Sequence, residues 1–145
     1  IWSCFAVVGD WLPDDVRLKK TVGRMATYLQ GYGDLMVSTN HWDPAVLERF
    51  RRDPFVAGFR GAIDNTATTS ELEHVATLIP SEWLAAAGLG TPAECADAVL
   101  RQMDLGADSV IIHGATPAEL APMVHAYRAI RPAGRFDHLA ANPGA

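Results

Sequence analysis

The sequence predicts an α/β protein built on a parallel sheet, with a helix-rich stretch inserted between its first strand and the rest. Three features predict it. Residues 1–8 form an almost unbroken apolar run, the pattern of a strand covered on both faces. Residues 91–131 read as helix, strand and helix joined by very short turns, which is half of a repeating βα architecture. Between these segments, apolar residues recur at helical spacing in short pieces cut by prolines and glycines.

The run Ile1-Trp-Ser-Cys-Phe-Ala-Val-Val8 predicts a buried strand stopped by Gly9-Asp10. Because the chain opens in mid-strand on Ile rather than Met, it is expected to begin in mid-protein. Leu12-Pro13-Asp14-Asp15 opens a helix, since proline fits the first turn and the carboxylates suit the positive end of the helix dipole. Leu18, Val22, Met25 and Leu29 share one face of it, and Gly31 is expected to end it. Residues 33–40 are readable as a short strand or a loop. Asp43-Pro44 starts a short helix carrying Val46, Leu47 and Phe50, which Asp53-Pro54 interrupts. Phe55, Phe59 and Ile63 at spacing four predict a second helix, and Asp64 to Thr69 a polar loop. Leu72, Val75, Ala76 and Ile79 predict a third helix, ended by Pro80. Ser81 to Ala87 is alanine-rich and expected to add a further turn or two of helix, stopped at Gly88.

The last third carries two capping boxes. In Thr91-Pro92-Ala93-Glu94 the threonine hydroxyl accepts a backbone N–H while the glutamate reaches back to the cap, with proline at the first helical position. Cys95, Val99 and Met103 line one face of that helix, and Gly106 stops it. Ser109-Val-Ile-Ile-His113 is a short β-branched run that predicts a buried strand. After Gly114-Ala115, a second box, Thr116-Pro117-Ala118-Glu119, opens a helix with Leu120, Val124, Tyr127 and Ile130, which Pro122 is expected to bend. Residues 132–145 read as loop.

Composition limits the function classes. The 145 residues, 49% hydrophobic and 20% charged, fit one soluble globular unit over residues 1–145. A net charge of -5 and a pI near 5.4 leave no basic stripe to neutralise phosphates, so no nucleic-acid partner is expected. No apolar run approaches the ~20 residues of a membrane helix, so no membrane association is expected either. Cys4 and Cys95 fit neither a disulfide framework nor a zinc ribbon, which points to a reducing, cytoplasmic compartment. His41, His74, His125 and His138 lack the paired spacing of a metal site. There is no Gly-x-Ser-x-Gly elbow and no Walker loop. Arg49, Arg51 and Arg52 read as the solvated basic edge of an amphipathic helix rather than a phosphate clamp.

Three segments are candidates for a site. Gly88-Leu-Gly90-Thr-Pro-Ala93 has the Gly-x-Gly-x-x-Ala form of a dinucleotide fingerprint, with Asp108 near the spacing of a ribose-binding carboxylate. That fingerprint needs a strand before it and a carboxylate at the end of the next strand. Here a helical stretch is expected to precede it and Asp108 begins the next strand, so a helix stop followed by a capped helix is the better reading. His113 and Gly114 fall at the C-terminal end of a predicted parallel strand, the face where β/α proteins bind substrates and cofactors. His113 is thus a pocket residue or a histidine satisfied by nearby backbone. Gly9, Asp10 and Trp11 hold the same place after the first strand. They read as the border of a planar cofactor, or as a turn glycine, a helix-capping aspartate and a core tryptophan.

The runs Gly23-Arg24-Met-Ala-Thr-Tyr28-Leu-Gln-Gly31-Tyr-Gly33, Asn40-His-Trp42-Asp43-Pro44, Leu72-Glu-His74, Gly90-Thr-Pro-Ala-Glu94 and Gly106-Ala-Asp-Ser-Val-Ile-Ile-His113-Gly114 form an ordered set. This set resembles the C-terminal half of the luciferase-like monooxygenase superfamily, and most closely its branch of oxidoreductases that use the deazaflavin coenzyme F420. The likeness spans essentially the whole chain, ending in Ala141-Asn-Pro-Gly144. It implies the C-terminal part of a (β/α)8 TIM-type barrel with a helix-rich insertion, this chain supplying roughly the last three strands. The N-terminal strands, which in that superfamily hold most cofactor-binding and proton-donating residues, are absent, so no catalytic residue is carried over. His113 is the best remaining pocket candidate. The implied activity is hydride transfer between F420 and a small organic substrate, the protein supplying orientation and electrostatics. An FMN-dependent luciferase-like monooxygenase is the alternative within the fold, and a non-catalytic α/β interaction module is the alternative of another class. A homodimer is left open.

Overall fold

The structure is a computed structural model that describes residues 1–84 and 87–138. The chain is α/β and divides into two units, Ile1–Trp11 with Ala87–Ala145, and Leu12–Ala86.

The first unit holds a three-stranded parallel sheet, β1 (Trp2–Gly9), β2 (Gly88–Gly90) and β3 (Ser109–His113), in the order β2-β1-β3. Trp2 to Ala6 pair with Ser109 to His113, and Val7, Val8 and Gly9 pair with Gly88, Leu89 and Gly90. The expected helix stop at Gly88 is therefore a strand. Its glycine sits in a tight place: a Cβ at Gly88 would lie 3.1 Å from the Phe5 ring, which would have to shift to admit it. β3, expected to be buried, lies at the sheet edge, and its residues are half-buried or exposed. Successive strands of a barrel would lie in the order β1-β2-β3, whereas this small sheet is open with β1 at its centre.

Two helices follow the second and third strands, α7 (Pro92–Asp104) and α8 (Pro117–Ile130), numbered after the six of the second unit given below. Both begin with the expected capping boxes, Thr91 with Glu94 and Thr116 with Glu119. Phe5 and Val7 of the sheet share a core with Cys95, Ala96, Ala98 and Val99 of α7 and Met123 of α8. Each such large apolar side chain contributes about 1.5–3 kcal/mol on burial. Leu120, Val124 and Tyr127 of the expected stripe pack half-buried against this core, Met123 is the fully buried residue of α8, and Ile130 is exposed. The helix is continuous through Pro122. Strand alternation then decides the other face. Val110 and Ile112 pack toward the helices, so Ile111 and His113 face away from them, as do Trp2, Cys4, Ala6 and Leu89. On that face Trp2 is 72% exposed, Ile111 42% and Leu89 39%.

In the second unit, α1 (Asp14–Leu18), a π-helical turn (Lys19–Gly23) and α2 (Arg24–Asn40) form one continuous helical rod. The strand or loop expected over residues 33–40 is replaced by helix, while the stop expected at Gly31 falls beside Tyr32, whose non-helical torsions (φ −129°, ψ 15°) divide the rod into two helical pieces across a kink. Gly33 stays because a Cβ there would sit 2.7 Å from Leu47 Cδ1, so the glycine serves close packing rather than termination. The stop comes at His41, which adopts the left-handed conformation (φ 55°).

Asp43 then caps α3 (Pro44–Arg52) as expected, accepting from the Ala45 N–H at 2.9 Å. The single helix expected over Phe55, Phe59 and Ile63 is two short ones, α4 (Pro54–Gly58) and α5 (Ile63–Thr66), because Phe59 is extended. The segment expected as loop holds α5 and a third capping box, Thr68 with Glu71, which opens α6 (Thr69–Ala76). Ser81–Leu84 is a 3-10 turn rather than α-helix, and Ala85 and Ala86 lie outside the described residues. Leu29, Phe50, Ile63 and Val75 form the core of this unit, with Trp42 stacked on Trp83 at 4.3 Å. Among the described residues no helix is long and apolar enough to cross a membrane.

Candidate functional site

Because the three strands are parallel, their C-terminal ends share one edge, which is where open α/β sheets and β/α barrels bind ligands. Gly9, Asp10 and Trp11 follow β1 there, Gly90 and Thr91 follow β2, and His113 and Gly114 end β3. All five residues singled out from the sequence therefore lie at one sheet edge, in different roles.

Trp11 is part of the core. Its indole folds back over Gly9 so closely that a Cβ there would lie 1.9 Å from the ring. The indole Nε1–H donates to the Glu119 carbonyl at 2.9 Å, and the ring packs against the α7–α8 core. The ring is thus held, half-buried, against the core. Asp10 donates its backbone N–H to the Gly90 carbonyl at 2.8 Å, fastening the ends of β1 and β2. Its side chain caps no helix, because the N-cap of α1 is Pro13; the capping role expected for it is corrected. The exposed Asp10 carboxylate instead acts on Cys95. Burial pushes the Cys95 thiol up, and the charges of Asp10 and Glu94 add to that, to about 11. The buried thiol, 3.7 Å from the Gly90 carbonyl, stays protonated and is no nucleophile at neutral pH.

His113 differs from these. It is half-buried on the face turned away from α7 and α8, paired in register with the small Ala6. Its imidazole has no hydrogen-bond partner among the described residues, so the reading in which neighbouring backbone satisfies it is not realised. Gly114 turns the chain into α8 with φ +73°.

No protein-family model, no curated protein and no solved structure matches this chain.

The dinucleotide motif meets one of its requirements, since Gly88–Gly90 is a strand leading into α7. It fails on the others. Glu94 reaches back to the Thr91 N–H at 2.8 Å while the Thr91 hydroxyl accepts from the Glu94 N–H, so the helix start carries its own carboxylate where a pyrophosphate would sit. Asp108 lies at the opposite sheet edge, ion-paired with the Ile1 amino group. Charge at the candidate edge is one-sided. Residues 1–11, 87–100 and 109–127 contain no lysine or arginine, while Asp10, Glu94 and Glu119 all lie there.

In the second unit two of the three arginines of α3 are engaged in cis. Arg51 makes a two-pronged pair with Asp34 at 2.9 and 2.8 Å, and Arg52 pairs with Glu48. Both pairs line an open groove of about 1010 Å³ between α2 and α3, so its charged groups are already matched. His74 Nε2 lies 2.9 Å from Asp53 Oδ2, while Asp53 Oδ1 caps α4. The sequence signal that could have singled out the open sheet face is the alternation within β3, which was legible once the covered face was known.

Proposed function

We propose that this chain is the C-terminal part of a luciferase-like β/α barrel oxidoreductase, active in hydride transfer between coenzyme F420 and a small organic substrate. The observation that carries this reading is that both helices of the first unit lie on one face of the sheet. α7 and α8 both pack on the Phe5–Val7 face, and Trp2, Ile111 and Leu89 of the other face are exposed. In doubly wound folds helices cover both faces, whereas in a barrel they form an outer ring and the inner face is filled from other strands. The ordered motifs from Gly23 to Gly114 support the same reading.

The residues at the ligand edge suit the ring of a deazaflavin: apolar side chains and an imidazole at His113 with no hydrogen-bond partner among the described residues. They offer no cation to a phosphate. When bound, the coenzyme supplies the hydride chemistry; His113 positions and hydrogen-bonds the ring, and the apolar face excludes water.

Barrel closure makes a structural demand. In a chain extended upstream of Ile1 by further βα repeats, β2 lies between β1 and β3, and β3 pairs with the first strand of the barrel. Cross-strand amide contacts measured by NMR on such a chain are expected to link β2 to β3; retention of the β1–β3 pairing overturns the barrel reading. Equilibrium binding of F420 and FMN to that chain decides the cofactor. Tighter F420 binding supports the proposal, tighter FMN binding points to the monooxygenase, and binding of neither sinks both.

A further inference from the structure

We infer that α2 is a dimerisation helix: two copies of this chain pair through the exposed Tyr28, Tyr32 and Leu35 of α2, antiparallel about a two-fold axis between Gly31 and Tyr32. This pairing involves the second unit alone and is independent of the proposed activity.

α2 is apolar on two sides. Ala26, Leu29, Gly33 and Val37 are buried, so the same side faces the core before and after the kink at Tyr32. The outer side carries Tyr28, Tyr32 and Leu35 at spacings of four and three, and these are 37%, 65% and 65% exposed. That is the spacing of a helix-pairing seam, and large apolar side chains grouped on a surface mark a contact site where single ones do not. Gly31 lies beside them with open space where a side chain would stand, which admits a second backbone.

The seam is self-complementary in the antiparallel sense. About the two-fold axis, Tyr28 of one copy meets Leu35 of the other, and the Tyr32 ring meets the bare backbone at Gly31. Charge selects the same sense. Residues 16–33 hold Arg17, Lys19, Lys20 and Arg24 and no carboxylate, whereas residues 34–48 hold Asp34, Asp43 and Glu48 and no lysine or arginine. The last turn of α2 also has no basic residue to complement the negative end of its dipole. An antiparallel copy brings its basic end there, while a parallel copy would set basic end against basic end. A contact of this kind closes on itself as a dimer and does not propagate.

The test is sedimentation equilibrium on the full 145-residue chain carrying Trp2→Lys and Ile111→Lys, which takes two exposed apolar residues of the sheet out of the measurement. A monomer–dimer equilibrium is expected, with a Kd on the order of 10 μM. Tyr32→Ser with Leu35→Ser is expected to raise that Kd about tenfold or more, with helical circular dichroism unchanged. Lys19→Glu is expected to weaken the dimer at low salt and to lose its effect as salt is raised. Cysteine cross-linking reads the orientation in a Cys4→Ser background, which removes the exposed native thiol. Gly31→Cys, next to the axis, is expected to give a disulfide-linked dimer under mild oxidation, and Thr39→Cys, far from it, to give none. A chain that stays monomeric about tenfold above the expected Kd, a dimer indifferent to the two serine substitutions, or cross-linking through Thr39→Cys overturns the inference. Should the serine variant lose helix, Leu35→Gln alone and the two cross-linking variants decide.

Discussion

At the scale of single residues, Gly9 and Cys95 show how closely the ends of the strands are packed. A methyl group at Gly9 collides with an indole that cannot swing away without losing its bond to the Glu119 carbonyl. Gly9→Ala is therefore expected to destabilise the chain by about 1–3 kcal/mol, the usual cost of overpacking, and to shift the tryptophan emission as Trp11 is displaced. Urea unfolding followed by fluorescence checks it, and unchanged stability would contradict this packing. The two cysteines should separate cleanly. Cys4 is exposed, whereas Cys95 is buried and its thiol is pushed up to about 11 by burial, Asp10 and Glu94. At pH 8 a thiol-specific disulfide reagent is expected to modify one cysteine rapidly, and Cys4→Ser to abolish that fast phase. Two equally fast thiols would refute the assignment. Neither outcome is legible from the sequence, where both cysteines sit in similar apolar runs.

Elements were legible where their ends are written into local chemistry. The boxes at Thr91 and Thr116 and the Asp43-Pro44 start are all realised, because a cap involves residues only three apart. Thr91→Ala is expected to cost about 1 kcal/mol in thermal or urea unfolding. Glu94→Gln is expected to cost less, since the amide oxygen still accepts from the Thr91 N–H. Asp53 joins two elements: one oxygen caps α4 and the other meets His74 of α6. Partial burial pushes its carboxyl up, but the Val56 N–H, His74 and the Phe55 N–H outweigh that and hold it below the ordinary carboxylate value. A carboxyl depressed by folding stabilises the fold above its unfolded value near 3.8 and loses that stabilisation as pH falls through the lower folded value. Asp53→Asn, which keeps an oxygen for the cap but does not titrate, is expected to flatten the loss of stability below about pH 4. An acid unfolding curve identical to the wild type would rule this out. Glycines were the weak signal at this scale. Gly31 and Gly88 both read as stops, yet Gly31 only precedes a kink at Tyr32 within α2 and Gly88 opens a strand. A glycine that ends a helix and one that admits a neighbouring side chain look alike until the neighbour is known.

For the whole molecule, the open sheet face has a direct consequence. Trp2, Ile111 and Leu89 are exposed together on a sheet whose outer strands β2 and β3 each leave one backbone edge unpaired by the described strands. Such a surface favours self-association. The 145-residue chain is expected to sediment as concentration-dependent oligomers, and a Trp2→Lys, Ile111→Lys double substitution to shift it toward monomer without loss of helical circular dichroism. A wild-type chain that stays monomeric at high micromolar concentration would contradict this. The sequence by itself determined the α/β class, the parallel strands at residues 2–9 and 109–113, the capped helices that follow β2 and β3, and the placing of His113 and Gly114 at a strand end. These depend on contacts between near neighbours and on an apolar run long enough to identify a strand. Only the tertiary structure decided that Gly88–Gly90 is a strand, that β1 rather than β2 is central, that Trp11 packs against the core and that Trp2, Leu89 and Ile111 are exposed on the face turned away from α7 and α8. Those outcomes depend on which residues, distant in sequence, come to lie against one another, and no local pattern contains that information.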